Sequence, residues 1–357
     1  MLKFAIVMIQ SEKPTIMDIA RLSGLSKGTV DRVLHNRGEV SRKSYDKVMS
    51  VIKELGYEPN VIASALARGV SRRIALLIPE QTPGSFWELA GGGIAKASES
   101  VAPLGVSTVV FNYDQRDAES FRDACSRLLD AAPSGVVVAP IFGADTQMFT
   151  AELRERSIPY AFFDTKQDDE GYLAYFGLPE YKSGYLCADQ LTLDRSASEV
   201  LLVRIKRDPL RQSDPTVIRR AGFMDYMSEH CPDCIVRTLF IDPGDPERTD
   251  QELDAFFAAF PGTTHVAMFN SRIHLIVPWL ERHPAQTRRV VGFDNLKANM
   301  EALARGTVSV LIAQHPEEQV AMAIQALTDM IVMGRQPARR DNYMHMDILT
   351  RYNVEFY

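Results

Sequence analysis

Apolar residues recur at helical spacing in three short stretches early in the chain. In residues 15–22, TIMDIARL, the positions Ile16, Ile19, Ala20 and Leu22 share one helix face. Thr15 follows Pro14 and precedes Asp18 by three residues, close to a capping box, so it caps that helix. SGLS then breaks the pattern, and Gly24 suits a left-handed turn. Ser26 caps a second helix, KGTVDRVLH, whose inner face is Val30, Val33 and Leu34. Ser41 caps a third, with Val48, Ile52 and Leu55 inward, and Gly56 and Pro59 end it. Two short helices joined by a glycine-containing turn of about four residues predict a helix-turn-helix, whose second helix lies in a major groove.

From Arg73 the texture changes. Strand-length apolar runs (IALLIP, VSTVVFNY, GVVVAP, PYAFFD) alternate with helical stretches, and after YKSGYLCADQLTL the cycle restarts with EVLLVRI, IVRTLFI, HVAMFN, RVVGFD and VSVLIAQ. Such alternation predicts parallel sheets with crossover helices. The fold class is therefore α/β: an N-terminal all-α helix-turn-helix head plus a two-lobed core of doubly wound parallel sheets. Ligands on such sheets sit beyond the carboxyl ends of the strands. The chain after Gly334 reads as a final strand or two, without the heptad leucines of a coiled coil.

Charge sharpens this picture. The 357 residues carry a formal charge of −6, yet residues 14–73 carry +5 and residues 74–357 carry −12. A basic head on an acidic body is the footprint of a polyanion-binding module. Four cysteines are too few and scattered for a disulfide scaffold and suit a reducing compartment. Cys231-Pro-Asp-Cys234 has the spacing of a redox pair or half a zinc site, and equally that of a plain turn between a helix and a strand. No apolar run approaches the roughly 20 residues that span a bilayer. MLKFAIVMIQ has too short an apolar core for a signal peptide and no small-x-small cleavage site, which favours a cytoplasmic protein with a leader over 1–13. Enzyme motifs are missing. Gly91, Gly92 and Gly93 fall inside a helix and Lys96 stands where a third dinucleotide-binding glycine belongs. No P-loop, metal motif or nucleophile elbow appears, so no catalytic residue, metal or cofactor is expected.

The stretch TIMDIARLSGLSKGTVDRVLHNRGEVSRKSYDKVMSVIKELGYEPNVIASALARG resembles the DNA-binding head of the lactose/galactose repressor (LacI) family. That pattern runs T-x-x-D-I/V-A, A-G-V-S-x-x-T-V-S-R, V-S-x-x-T, then L-G/N-Y-x-P-N-x-x-A-x-x-L. The resemblance implies that Lys27, Gly28 and Arg32 stand at base-reading positions, and that Thr15, Ser26, Thr29, Asn36 and Asn60 stand at phosphate-contacting or capping positions. It also makes 60–72 a hinge helix and linker, with Ala63 and Leu66 at the DNA and Leu66 inserted into a minor-groove step, where an unstacked step kinks the duplex. Two departures stand out. Gly28 has no side chain to read a base, and Asp31 replaces a usual Ser, where it pairs with Lys27 or Arg32 or accepts from a cytosine amino group. Operator preference is expected to differ accordingly.

The body, more loosely, is similar to the periplasmic-sugar-binding-type core of the same family. Arg219-Arg-Ala-Gly-Phe matches R-x-x-G-F/W, whose first Arg usually bonds the effector. Asn270 matches A-x-x-x-N-D, with Ser271 in place of the Asp. Asp294 ends VVGFD, Gln314 lies in LIAQHPEEQVAMA, and Asp164 ends AFFD at an acidic cleft position. A planar guanidinium and two carboxylates can grip vicinal hydroxyls, while Phe86 and Trp87 either stack on a sugar face or pack. The resemblance thus implies a transcriptional repressor, 14–59 being its head and 73–357 its effector-binding and dimerisation domain. It would act as a homodimer on pseudo-palindromic double-stranded DNA, under control of a carbohydrate. The alternative is a DNA-binding regulator without a small-molecule ligand, controlled by a protein partner.

Overall fold

The computed structural model describes residues 14–34, 38, 40–57, 72–206, 215–287 and 289–357. The chain divides into two compact units, Met1–Gly69 and Val70–Tyr357. The leader at 1–13 and nearly all of the predicted hinge segment, 60–71, lie outside the described residues.

The first unit holds α1 (Ile16–Ser23), α2 (Lys27–Leu34) and α3 (Arg42–Leu55). The predicted caps form. Asp18 N donates to Thr15 Oγ1, while Thr15 N and Oγ1 donate to Asp18 Oδ2 at 3.1 and 2.7 Å, a reciprocal box. Gly24 ends α1 at φ 66°, Thr29 N donates to Ser26 Oγ at 3.1 Å, and Ser41 caps α3. Ile19, Val30, Val33, Val48 and Tyr57 form a small core, with Leu34, Ile52 and Leu55 packed against it.

The second unit alternates as predicted. Its first lobe contains β1 (Arg72–Pro79), α4 (Phe86–Val101), β2 (Val106–Tyr113), α5 (Ala118–Asp130), β3 (Gly135–Val138), α6 (Gly143–Glu155), β4 (Tyr160–Asp164) and β5 (Ala174–Gly177). The second contains α7 (Glu180–Leu191), β6 (Glu199–Ile205), α8 (Pro215–His230), β7 (Ile235–Ile241), α9 (Pro246–Ala259), β8 (His265–Met268), α10 (Val277–Arg282), β9 (Arg289–Phe293), α11 (Lys297–Arg305) and β10 (Val310–Ala313). The chain then returns to the first lobe with α12 (Pro316–Thr328) and β11 (Asp341–Tyr343), and ends on β12 (Asp347–Leu349) in the second.

The sheets run β11-β5-β4-β3-β1-β2 and β12-β10-β9-β8-β6-β7, parallel except where β12 meets β10. They are the same winding used twice, so β4 and β9 occupy equivalent places. Helices cover both faces, which is why Ile74–Ile78 and Val200–Leu202 are wholly buried runs rather than alternating ones. Three segments join the lobes: after β5, between β10 and α12, and between β11 and β12.

Three features differ from the sequence reading. β5 is four residues long, too short to announce itself, and is defined by its pairing with β4 and β11. HLIVPWLERH splits into a 3₁₀ turn, Ile273–Leu275, and α10, because Pro278 lacks an amide and fits only a helix's first turn. The long last helix widens into a π turn at Asp329–Met333 before Gly334 ends it at φ 67°. One glycine of α4 also finds its reason here. A β-carbon on Gly93 would collide with the backbone of Glu317, so this glycine lets α4 and α12 touch. CPDC is a reduced turn between α8 and β7, with Cys234 N donating to Cys231 O.

Candidate DNA-reading head and ligand cleft

On α2 the buried Val30 and Val33 face the head's core, leaving Lys27, Gly28 and Arg32 exposed. Arg32 Nε donates to Gly28 O at 3.3 Å. A β-carbon at Gly28 would meet nothing nearer than Ser26 Oγ at 3.9 Å, so the fold does not require glycine there. Ser26 and Thr29 pair their hydroxyls at 2.9 Å beside the start of α2. Thr15 spends both its donors on Asp18, which places it first as a cap. Those bonds hold the Asp18 carboxyl below its ordinary pKa. Asp31, on the same helix, is half-buried. Asn36, Asn60, Ala63 and Leu66 fall outside the described residues.

Between the lobes, at the carboxyl ends of both sheets, lies a cavity of about 350 Å³. All seven residues selected from the sequence line it: Phe86, Trp87, Asp164, Arg219, Asn270, Asp294 and Gln314. Phe86 and Trp87 are also members of the first lobe's core. They meet edge to face at 5.0 Å, and Trp87 meets Phe163 the same way at 6.0 Å. Both rings therefore pack in the core and line the cavity as well.

Asp164 ends β4 and Asp294 directly follows the equivalent strand β9, and both take left-handed backbone, φ 65° and 68°. Such conformations are uncommon for a residue with a side chain, and they gather where a fold holds a group for use. Arg219 is 3% exposed. Its guanidinium donates to Glu180 at 2.5 Å, to Phe269 O at 2.7 Å and to Gln314, and it lies over the Phe293 ring. Gln314 Nε2 donates in turn to Asp294 Oδ2 at 2.7 Å. Gln319 completes the chain across the lobes, donating to Gln314 O and accepting from Asp164 N at 3.0 Å. Asn270 Oδ1 is engaged by Arg272 N.

Asp294 is fully buried, and among the described residues its Oδ1 has no hydrogen-bond donor. Burial pushes its carboxyl up to about 7, opposed by Arg219 and by the bond from Gln314. A raised carboxyl pKa leaves stability intact below the unfolded value, about 3.9. That stability is lost as pH climbs through the folded value near 7. Melting scans of the ligand-free protein from pH 5 to 8 are therefore expected to show falling stability. Asp294→Asn should flatten that slope; an unchanged slope would mean other groups set it.

Sequence reasoning missed Glu180 and Gln319. Glu180 lies 39 residues before Arg219, with no spacing signal between them. Gln319 was visible in QHPEEQ but carried no cleft signature.

A helix-turn-helix head on a two-lobed cleft core places the chain in a class of DNA-binding proteins built on a periplasmic-binding architecture. Residues 74–336 match the periplasmic binding protein domain family, and residues 15–60 match the bacterial regulatory proteins of the lacI family. A putative LacI transcriptional regulator from Bacteroides fragilis is 32% identical, covers 81% of this chain and all of its own, and superposes with a TM-score of 0.75. The regulator DegA of Bacillus subtilis is 33% identical over 42% of this chain and 43% of its own length. A ribose operon repressor of Halalkalibacterium halodurans is 35% identical over 36% and 37%. The chain thus matches about two-fifths of these curated relatives' lengths. The chain belongs to the LacI family of bacterial regulatory proteins.

Proposed function

We propose that the protein is a sequence-specific transcriptional repressor whose affinity for a pseudo-palindromic operator is set by a sugar or sugar derivative in the cleft. The observation that carries the effector half is the buried Asp294 Oδ1, on a carboxylate held by Gln314 and facing a cavity with Arg219. A buried acceptor without a donor costs free energy unless a ligand supplies one. A sugar hydroxyl does so, and the guanidinium and carboxylate set is suited to vicinal hydroxyls. A protein partner would have no use for an acceptor at this depth, so the small-molecule reading is preferred. Relatives named for ribose and sucrose operons agree with it.

The head reads DNA through Lys27 and Arg32 in the major groove, with Ser26, Thr29 and the start of α3 at phosphates. A homodimer presents two heads to two half-sites. A sugar that favours one lobe arrangement by its differential affinity changes their spacing. A coupling of about 1–3 kcal/mol would shift operator affinity roughly 5–150-fold.

The test is selection from random duplexes, with and without a panel of mono- and disaccharides and their phosphates. An enriched palindrome that one sugar abolishes or creates supports the reading. A palindrome indifferent to every sugar removes the effector half, and no palindrome removes the whole. On the selected operator, Arg32→Ala is expected to weaken binding by about 1–3 kcal/mol and relax preference at one base pair. Equal loss on all sequences would make Arg32 a phosphate contact instead.

A further inference from the structure

Away from the cleft, two of the segments that join the lobes bring three metal-type donors together. His315 sits between β10 and α12. His345 and Asp347 sit where β11 passes to β12. The donor atoms of all three lie within 4.8 Å of one another. His315 Nε2 is 3.2 Å and His345 Nε2 3.7 Å from the same oxygen, Asp347 Oδ2. Zinc holds imidazole nitrogen and carboxylate oxygen at about 2.0–2.2 Å in a tetrahedron, which puts neighbouring donors about 3.3 Å apart. The observed spacings bracket that value.

The surroundings are built rather than incidental. His315 is 11% exposed and takes left-handed backbone at φ 57°, so the fold, not chance rotation, aims its ring. The Tyr357 hydroxyl packs against the same ring, 3.1 Å from His315 Nδ1 and 3.2 Å from Nε2, which restricts its rotation. His345 and Asp347 are open enough for an ion to enter.

We propose that His315, His345 and Asp347 bind one divalent ion of the zinc class, with water completing the shell, and that the ion ties the second lobe-joining segment to the third. Two imidazoles and one carboxylate suit zinc, copper or nickel and not magnesium or calcium. The tie has a short path to the cleft, because Gln314, which bridges Arg219 and Asp294, is the residue before His315. The inference does not depend on the identity of the effector.

The experiment is calorimetric titration of the EDTA-treated full-length chain with ZnCl₂, followed by hydrogen exchange with and without zinc. One zinc per chain in the micromolar range or tighter is expected. Binding should weaken at least tenfold in His345→Ala and in Asp347→Asn, both at accessible positions, with melting curves confirming that each variant folds. A Cys231→Ser/Cys234→Ser variant should bind as the parent does. Exchange should slow at Gln314 and His315 and at residues 344–347. No zinc binding, or equal binding by parent and His345→Ala, overturns the site. Loss in the cysteine variant instead assigns the zinc to CPDC. Normal binding with unchanged exchange overturns the tie.

Discussion

Arg219→Met is expected to cost the Val70–Tyr357 unit about 3–5 kcal/mol and to abolish the sugar response proposed above. The cost arises at Glu180. Its carboxylate is paired with Arg219 at 2.5 Å, with side chains 9% and 3% exposed. Removing one member of a buried pair leaves the other charge in a poorly solvated place, which is where the large penalties come from. The same change takes the donor from Gln314 and from the Phe269 carbonyl, so the strand ends that line the cleft lose their common anchor. Chemical denaturation of the full-length chain measures the loss. The double variant Arg219→Met/Glu180→Leu separates the causes. It should recover most of the stability, because no charge is left buried, and none of the sugar response. If the single variant loses less than about 1 kcal/mol, solvent reaches Glu180 and the pair is not the anchor described here.

The head was legible because its signals are local. Each cap and turn lies within four residues of what it controls: Thr15 with Asp18, Ser26 with Thr29, Ser41 with Ser44, Gly24 and Gly56 at helix ends. The two lobes were legible for a related reason. A strand covered on both faces must be apolar throughout, and such runs stand out between amphipathic helices. The cleft was legible only in part. Asp164 and Asp294 could be placed because a strand end is visible, but their shared left-handed backbone is a property of the doubled winding and leaves no mark in composition. Glu180 and Gln319 were invisible because what selects them is distance in space. The same holds for His315 and the His345–Asp347 pair, about 30 residues apart and joined only by the route of the chain between lobes. Phe86 and Trp87 show the converse. Their position after β1 pointed to the cavity correctly, while the bulk of each ring turned out to serve the core.

The contact that carries Arg219 and Glu180 to the cleft is the crossing of α7 and α8, and it depends on two reciprocal glycines. A β-carbon on Gly184 would fall far inside contact distance of the Arg219 carbonyl, and one on Gly222 would do the same to the Tyr181 carbonyl. Backbone lies on both sides, so no side chain can rotate away. Gly184→Ala is therefore expected to destabilise the unit by about 3 kcal/mol, at the upper end of overpacking costs. Helix propensity alone predicts the opposite sign, a gain of roughly 0.5–1 kcal/mol for Gly→Ala within a helix. Gly92→Ala supplies the comparison. Gly92 lies in α4 with nothing within 4 Å of the place an alanine methyl would take, so that change should be neutral or stabilising. Urea denaturation of both variants reads the difference directly. Because the displaced carbonyl belongs to Arg219 itself, Gly184→Ala should also weaken the proposed sugar binding, although Gly184 is not part of the cavity wall. If Gly184→Ala behaves like Gly92→Ala, the two helices can separate at no cost, and their crossing does not set the position of Arg219.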